Sequence, residues 1–265
     1  MKNILIISFY IFTLSFFPYL SAHDLKGAIA SDDRSPKNTL RDIHRHPYET
    51  LSFFGIQSNM TVVELSPGGG WYTEILANYI HYPGTLIAAH FNPEAGSYQK
   101  RSRTNFEKKI NSSPMYGRVE IVNLDSSLAD PNSVDAVLTF RNLHNWIGPN
   151  MDAIFKSSYI ALKPGGIFGV VEHRANPGTT LENMKKSGYV TEKYAIDIAL
   201  SHGFQLVKKS EINSNPKDTK NYPKGVWTLP PSLRLGDQNQ EKYKDIGESD
   251  RMTLLFKKPE YYEIN

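Results

Sequence analysis

The sequence of 265 residues contains no cysteine, which excludes disulfides, thiol nucleophiles and cysteine-ligated metals. An oxidising compartment is compatible with that absence, and the stability of the chain then rests on its packed core. An excess of one charge sign is also missing. Thirty Lys and Arg stand against 27 Asp and Glu, a net charge of +3. The basic residues are scattered, with clusters no larger than pairs such as Lys208-Lys209 and Lys257-Lys258, so a nucleic-acid surface is not expected. No internal repeat is present, and no cluster of histidines and acids shows metal-ligand spacing, so no metal is expected. The chain has one long apolar run, residues 4–17. Lys2 precedes it, Pro18 breaks it, and Ser21-Ala22 supply small residues before a polar stretch. Residues 1–22 therefore predict a signal peptide and an exported, periplasmic protein. The run is short for a membrane span; left uncleaved, residues 4–22 would act as a membrane anchor.

Residues 23–40 are polar and aperiodic and predict a linker. Residues 41–55 predict a leader helix, with Ile43, Leu51 and Phe54 near helical spacing, Gly55 as a stop and Pro47 as a point where it splits in two. Strands and helices then alternate. Strands are expected at 61–65, 85–91, 119–123, 134–140, 167–172, 204–210 and 252–257. Helices are expected at 71–80, 97–110, 151–162 and 191–202. The central strands are continuous apolar runs, as in sheets covered by helices on both faces. The pattern predicts an α/β, doubly wound, Rossmann-like, mostly parallel sheet. One irregular stretch, 211–249, is rich in Asn, Lys, Pro and Gly, and loops of that length in compact domains are usually functional or disordered. Residues 259–265 form a tail.

The most informative run is Val62-Val63-Glu64-Leu65-Ser66-Pro67-Gly68-Gly69-Gly70-Trp71-Tyr72-Thr73-Glu74-Ile75-Leu76. A buried strand rises to a glutamate, turns without Cβ atoms and enters a helix whose first N–H groups are unpaired. Ligands of doubly wound sheets bind at such a turn. The spacing is not Gly-x-Gly-x-x-Gly, and no Gly-Lys-Ser/Thr follows, so neither a dinucleotide nor a P-loop phosphate is indicated. A glutamate at the strand end disfavours a polyphosphate and favours a cation. S-adenosylmethionine, with an ammonium and a sulfonium, fits it better.

This run resembles the first motif of class I S-adenosylmethionine-dependent methyltransferases. More narrowly, it is similar to a group of exported bacterial predicted methyltransferases with a Pro-Gly-Gly-Gly-Trp-Tyr-Thr-Glu turn. Other stretches agree in order: Arg41-Asp42, His46-Pro47, Glu49 and Phe53-Phe54-Gly55 in the leader; Phe140-Arg141-Asn142-Leu143-His144-Asn145-Trp146; Leu162-Lys163-Pro164-Gly165-Gly166; Glu172-His173-Arg174; and Gly225-Val226-Trp227-Thr228-Leu229-Pro230-Pro231. The resemblance spans about residues 40–258 and implies a methyltransferase domain at 41–258, with a seven-stranded sheet whose last strand is antiparallel.

The resemblance also implies roles. Glu64 would bind the ribose or the methionine amine. Ser66, Pro67, Gly68, Gly69 and Gly70 would pass close to the cofactor, with Trp71 and Tyr72 opening the helix beside it or packing on the sheet. His90 stands where relatives place an acid that accepts both ribose hydroxyls. Either it does so more weakly, or Glu94 reaches in, or cofactor affinity is reduced. Asp125 would meet the adenine amino group, and Arg141 and Asn142 would flank the cofactor. Methyl transfer is an in-line displacement that mainly needs alignment, with a base when the nucleophile arrives protonated. His144 is the first catalytic candidate, His173 the second and Asn142 a third, with Asn145 and Trp146 beside them. Residues 211–249 would form a lid carrying Tyr222, Trp227 and Pro230-Pro231. The expected acceptor is unknown, a small molecule being favoured. The competing reading is a non-catalytic binding protein of the cell envelope that kept the fold.

Overall fold

The computed structural model describes residues 24–260. The predicted signal peptide and all but the start of the predicted tail lie outside them. In chain order the elements are α1 (Leu25–Ile29), α2 (Pro36–Thr39), α3 (Asp42–Arg45), α4 (Pro47–Phe54), β1 (Thr61–Leu65), α5 (Trp71–Tyr79), β2 (Thr85–His90), α6 (Ser97–Ile110), β3 (Val119–Asn123), β4 (Val134–Phe140), α7 (Leu143–Trp146), α8 (Pro149–Ala161), β5 (Leu162–His173), α9 (Leu181–Ser187), α10 (Glu192–Ser201), β6 (Gln205–Ser210), α11 (Gln240–Ile246) and β7 (Arg251–Lys257).

The seven strands form one sheet in the order β3-β2-β1-β4-β5-β7-β6. β1 pairs in parallel with β2 and β4, and β4 with β5. β7 inserts antiparallel between β5 and β6. Successive side chains point to opposite faces, so Val62 joins one core with Leu86, Ala136, Leu138, Ile75 and Leu76. Val63 and Leu65 join the other with Ile87, Val137, Ile154 and Phe155. Burial on both faces explains why β1 and β4 are mostly apolar, with Glu64 and Asp135 as the charged exceptions. The edge strand β6 is largely exposed and carries Lys208 and Lys209, charges that discourage pairing with another chain.

The predicted linker is corrected. α1 and α2 pack rather than dangle. Leu25 and Ala28 are buried, Arg34 forms a bidentate pair with Asp42 at 2.7 and 2.8 Å, and the Asn38 carbonyl accepts the Trp71 indole N–H at 2.9 Å. Helices of one turn that bury one or two residues carry no 3.6-residue period, so the sequence pattern passes over them. The leader is split at His46, whose φ of 41° closes α3 before Pro47 opens α4. β5 begins five residues earlier than expected because Leu162 pairs with Val134 across a register shift.

Residues 211–249 are a fixed cover rather than a loose loop. Asn213 Nδ2 bonds Thr50 Oγ1 at 2.9 Å and Thr253 Oγ1 at 3.0 Å. Asp218 accepts the Tyr189 hydroxyl and the Asp250 N–H, and Val226, Leu229 and Tyr243 are buried. The cover ends at Glu248, whose carboxylate accepts from Arg41 Nε at 2.6 Å, from Arg45 Nε at 3.2 Å and from Arg251 Nη2. Burial pushes the Glu248 carboxyl up, but Arg251, Arg45, Arg141 and Arg41 together hold it well below the ordinary carboxylate range. Its contribution is therefore present at neutral pH and is lost only in strong acid, as pH falls through the folded value. Glu248→Gln is expected to lower the urea-unfolding free energy at pH 7 by about 3–5 kcal/mol. A loss below about 1 kcal/mol would show that the leader is held by other contacts.

Candidate functional site

The strand order reverses between β1 and β4, so the carboxyl ends of those strands are where a doubly wound sheet offers a crevice. β1 ends in Glu64 and Leu65, and the chain turns through Ser66 (φ 48°), Gly68 (φ 59°) and Gly70 (φ 75°). The turn is closed by a bond from the Gly70 N–H to the Pro67 carbonyl at 2.9 Å. A Cβ at Gly68 or Gly69 would meet nothing within 4 Å, so this backbone faces open space. Gly70 differs, because a Cβ there would press on Phe106 and the Lys109 stem at 3.2 Å. Ser66 Oγ is buried with no hydrogen-bond partner. Glu64 is 2 % exposed and accepts the Thr73 hydroxyl at 2.6 Å. Burial raises its pKa to about 7, against the lowering effects of Thr73, Lys109 and Arg141.

Trp71 and Tyr72 serve packing. Trp71 lies under the Arg45 guanidinium, 4.6 Å from its ring. Tyr72 stacks on Phe140 with centroids 3.5 Å apart. His90 is engaged within the protein. Its Nδ1 accepts the Phe91 N–H at 2.8 Å, which leaves the ring proton on Nε2, 3.4 Å from the Gly68 carbonyl. A neutral imidazole has one acceptor, and it is occupied. Burial lowers the His90 pKa, and the ring stacks on Phe106 at 4.9 Å. His90 therefore props the glycine turn against β2. Glu94 is exposed in a short 3-10 turn. Asp125 is exposed too, and its Oδ2 accepts the Asn92 amide at 3.1 Å.

At the end of β4 the chain kinks through Arg141, whose φ is 64°. The Asn142 amide lies 3.3 Å from the Leu65 carbonyl and 3.2 Å from the Ser66 carbonyl, so it joins the ends of β1 and β4. Asn145 is exposed and Trp146 is buried. His144 Nδ1 lies 3.1 Å from Glu172 Oε1. The same carboxylate accepts the Leu143 N–H at 2.5 Å and the His173 N–H at 2.7 Å. Acceptance by Glu172 fixes the His144 proton on Nδ1 and frees Nε2, the arrangement of a general base held by a carboxylate. Glu172 is the residue that the sequence reading left without a role. It stands in the Glu172-His173-Arg174 run, but nothing there says that it returns to His144 across 28 positions. His173 Nδ1 meets Ser249 Oγ at 2.5 Å. Burial, then His144, Arg251, Arg141 and Arg45, push its pKa well below the ordinary histidine value, so it stays neutral.

The ligand atoms of His144, Glu172 and His173 lie within 4.8 Å of one another. The expectation of no metal had overlooked this donor set. Three guanidiniums acting on His173 oppose a dication there, which favours a hydrogen-bonded triad. Trp227 closes the His144 side, ring to ring at 5.9 Å, and Arg234 lies over Trp227 at 4.6 Å. A cavity of about 600 Å³ opens beneath Trp227 and Tyr222.

Residues 63–170 match the family model described as a methyltransferase domain. The chain is similar to a S-adenosylmethionine-dependent methyltransferase from Aquifex aeolicus, with 16% identity and a TM-score of 0.56 over 89% of this chain and 98% of that one. It is similar to geranyl diphosphate methyltransferase in complex with S-adenosylmethionine, with 10% identity and a TM-score of 0.55 over 88% and 94%. It is equally similar to the [4+2]-cyclase SpnF, with 14% identity and a TM-score of 0.57 over 89% and 92%. At these identities the likeness establishes the fold, which carries more than one chemistry. No functionally curated protein matches the sequence. The chain thus has the class I methyltransferase fold, and residues 63–170 within it match a methyltransferase-domain model.

Glu64 supplies a test of the turn's electrostatics. A carboxyl whose folded pKa is raised loses stability as pH rises from its unfolded value toward the folded one. Glu64→Gln is therefore expected to be more stable than wild type at pH 8, by about 3 kcal/mol at most given a folded pKa of about 7, with the gap closing toward pH 5. A gap independent of pH, measured by urea unfolding, would mean that Glu64 ionises freely.

Proposed function

We propose that this chain binds S-adenosylmethionine at the turn between β1 and α5 and transfers its methyl group to a small acceptor. The observation that carries the reading is the turn itself. Within the stretch matched to the methyltransferase family, backbone free of Cβ contacts faces open space beside a buried carboxylate. The residues fit the group. Ser66 Oγ has no partner in the protein, and Glu64 suits a cationic ligand. Ser66, Gly68 and Gly69 would hold the methionine part with Glu64 behind them, and Asp125 would meet the base.

The bound cofactor would supply an electrophilic methyl group on a sulfonium, open to in-line displacement. The chain's own residues do the rest. Asn142 locks the end of β4 to the turn, which fixes the approach direction. His144 takes a proton at Nε2 from an acceptor hydroxyl or amine while Glu172 holds Nδ1. Trp227 and the cover exclude water from that proton transfer.

The non-catalytic reading keeps one observation in its favour: the only acceptor nitrogen of His90 is occupied, so the position that relatives use for ribose offers none. Calorimetry of the full chain with S-adenosylmethionine separates the two. A cationic ligand favours ionised Glu64, whose pKa is about 7, so binding releases a proton in mild acid. Affinity is expected to rise on the order of tenfold between pH 5.5 and 7.5 and to flatten in Glu64→Gln. No binding at millimolar cofactor would sink the enzyme reading, and binding without the pH dependence would displace Glu64 from the site.

The compartment is part of the same proposal: the protein acts outside the cytoplasm, and residues 1–22 direct it there. N-terminal sequencing of the protein recovered from a periplasmic fraction is expected to begin near residue 23. An intact Met1 in the membrane fraction would establish anchoring instead.

A further inference from the structure

Four guanidiniums act on one carboxylate at the active-site edge. Arg251, Arg45, Arg141 and Arg41 all bear on Glu248, and Arg141 bears on Glu64 as well, so the guanidiniums outnumber the carboxylates. The arginines come from three parts of the chain: the leader helix α3 and its flank, the end of β4, and the first residue of β7. Arg45 and Arg251 are 4 % and 1 % exposed. Arg41 Nη2, Arg45 Nη1 and Arg251 Nε are buried without a hydrogen-bond partner. Arg141 differs, being half-buried, and its guanidinium makes no hydrogen bond or ion pair among the described residues. Burial and then Arg251 pull its pKa down to about 10. Buried, charged donors without partners are costly. A fold that gathers several beside its ligand turn is built to receive an acceptor of opposite charge.

Cofactor binding sharpens the imbalance. S-adenosylmethionine carries an ammonium, a sulfonium and one carboxylate, so it adds positive charge. Its single carboxylate can occupy one or two of these guanidiniums and leaves the excess in place. The cavity lined by Trp227, the ring neighbour of His144, has the same sign. It is lined by Lys186, Lys220, Lys224 and Arg234 and by no carboxylate. Only Lys220 among these has an ion pair, with Asp250 at 2.7 Å.

We infer that the methyl acceptor is a small oxyanion, a carboxylate or phosphate compound, whose anionic group is held by Arg141 together with Arg41, Arg45 and Arg251. Arginine suits this role because its planar fork meets carboxylate and phosphate oxygens in pairs. The anion anchors at the end of β4, where Arg141 stands three residues before His144. The inference rests on the methyl-transfer reading, which names the molecule as acceptor, but the binding site itself does not depend on it.

The test is a thermal-shift and calorimetric titration of the full chain with succinate and with inorganic phosphate at constant ionic strength, with and without S-adenosylmethionine. Dimethyl succinate serves as the neutral control. Arg141→Gln is the informative variant, because the guanidinium makes no hydrogen bond or ion pair among the described residues and the direct bonds to Glu248 come from Arg41, Arg45 and Arg251. Wild type is expected to bind one or both anions and not the diester. Arg141→Gln should weaken that binding by about tenfold or more and change cofactor affinity by less than about threefold. Preference for succinate or for phosphate identifies which oxyanion the acceptor carries. The inference is overturned if wild type binds neither anion while binding the cofactor. It is equally overturned if Arg141→Gln loses cofactor affinity as strongly as anion affinity, since the guanidinium would then serve the cofactor's carboxylate. Weakening by Lys186→Gln or Arg234→Gln but not by Arg141→Gln would move the anion into the cavity and refute the arginine site. Anion binding without cofactor binding would leave the arginine site standing and remove the methyl-transfer reading.

Discussion

The buried carboxylate of Glu248 is the point on which the architecture of the ligand edge turns. It stands at the end of the cover, three residues before Arg251 opens β7, and it gathers arginines from the leader as well. Without it, Arg41, Arg45 and Arg251 would repel one another at the mouth of the sheet. With it, three segments far apart in sequence close over the carboxyl ends of β1, β4 and β5. Burial alone would favour a protonated Glu248. The opposite outcome shows how strongly the arginines dominate that region. One carboxylate is enough to assemble them but too few to neutralise them, and the proposed anion site rests on this mismatch.

How much of this was legible in the sequence follows from the physical range of each interaction. β1, β4 and the turn between Leu65 and Trp71 were readable because burial on both faces and the need for positive φ act within a few residues. The antiparallel last strand was expected from the likeness of motifs rather than from periodicity. The short helices α1, α2, α7 and α9 were not readable, since each buries too few residues to impose a period. Long-range polar contacts were equally silent. Nothing local tells that Asn38 accepts a bond from Trp71, that Glu172 fixes His144, or that Glu248 joins Arg45 over a separation of 203 positions. His90 was recognised as unusual, but its internal role depends on the Phe91 amide and the Phe106 ring, which only the folded chain brings to it.

The two ends of the sheet divide stability from chemistry. At the far end, Lys258 Nζ is fully used, with the Asn132 side chain at 2.7 Å and the Tyr159 and Leu162 carbonyls at 2.8 and 2.7 Å. There a buried cation is balanced by dipoles and the structure is complete. At the ligand end the buried polar atoms without partners are Arg34 Nε, Arg41 Nη2, Arg45 Nη1, His46 Nδ1, Ser66 Oγ and Arg251 Nε among the described residues. They fall on the segment before the leader, the leader itself, the glycine turn and the start of β7, and none falls on the far end. Random packing defects would be spread over both ends, whereas groups held ready for a ligand concentrate where it binds. Positive sign also dominates these atoms, because four of the six are guanidinium donors. The same edge presents a buried acid, Glu64, to one side of the turn and unpaired cations to the other. A cation placed against Glu64 and an anion placed against Arg141 would each neutralise its own neighbour, and together they would bring opposite charges toward each other across the end of β4. An electrophilic sulfonium and an anionic nucleophile-bearing molecule are the pair of reactants that such a polarity draws together.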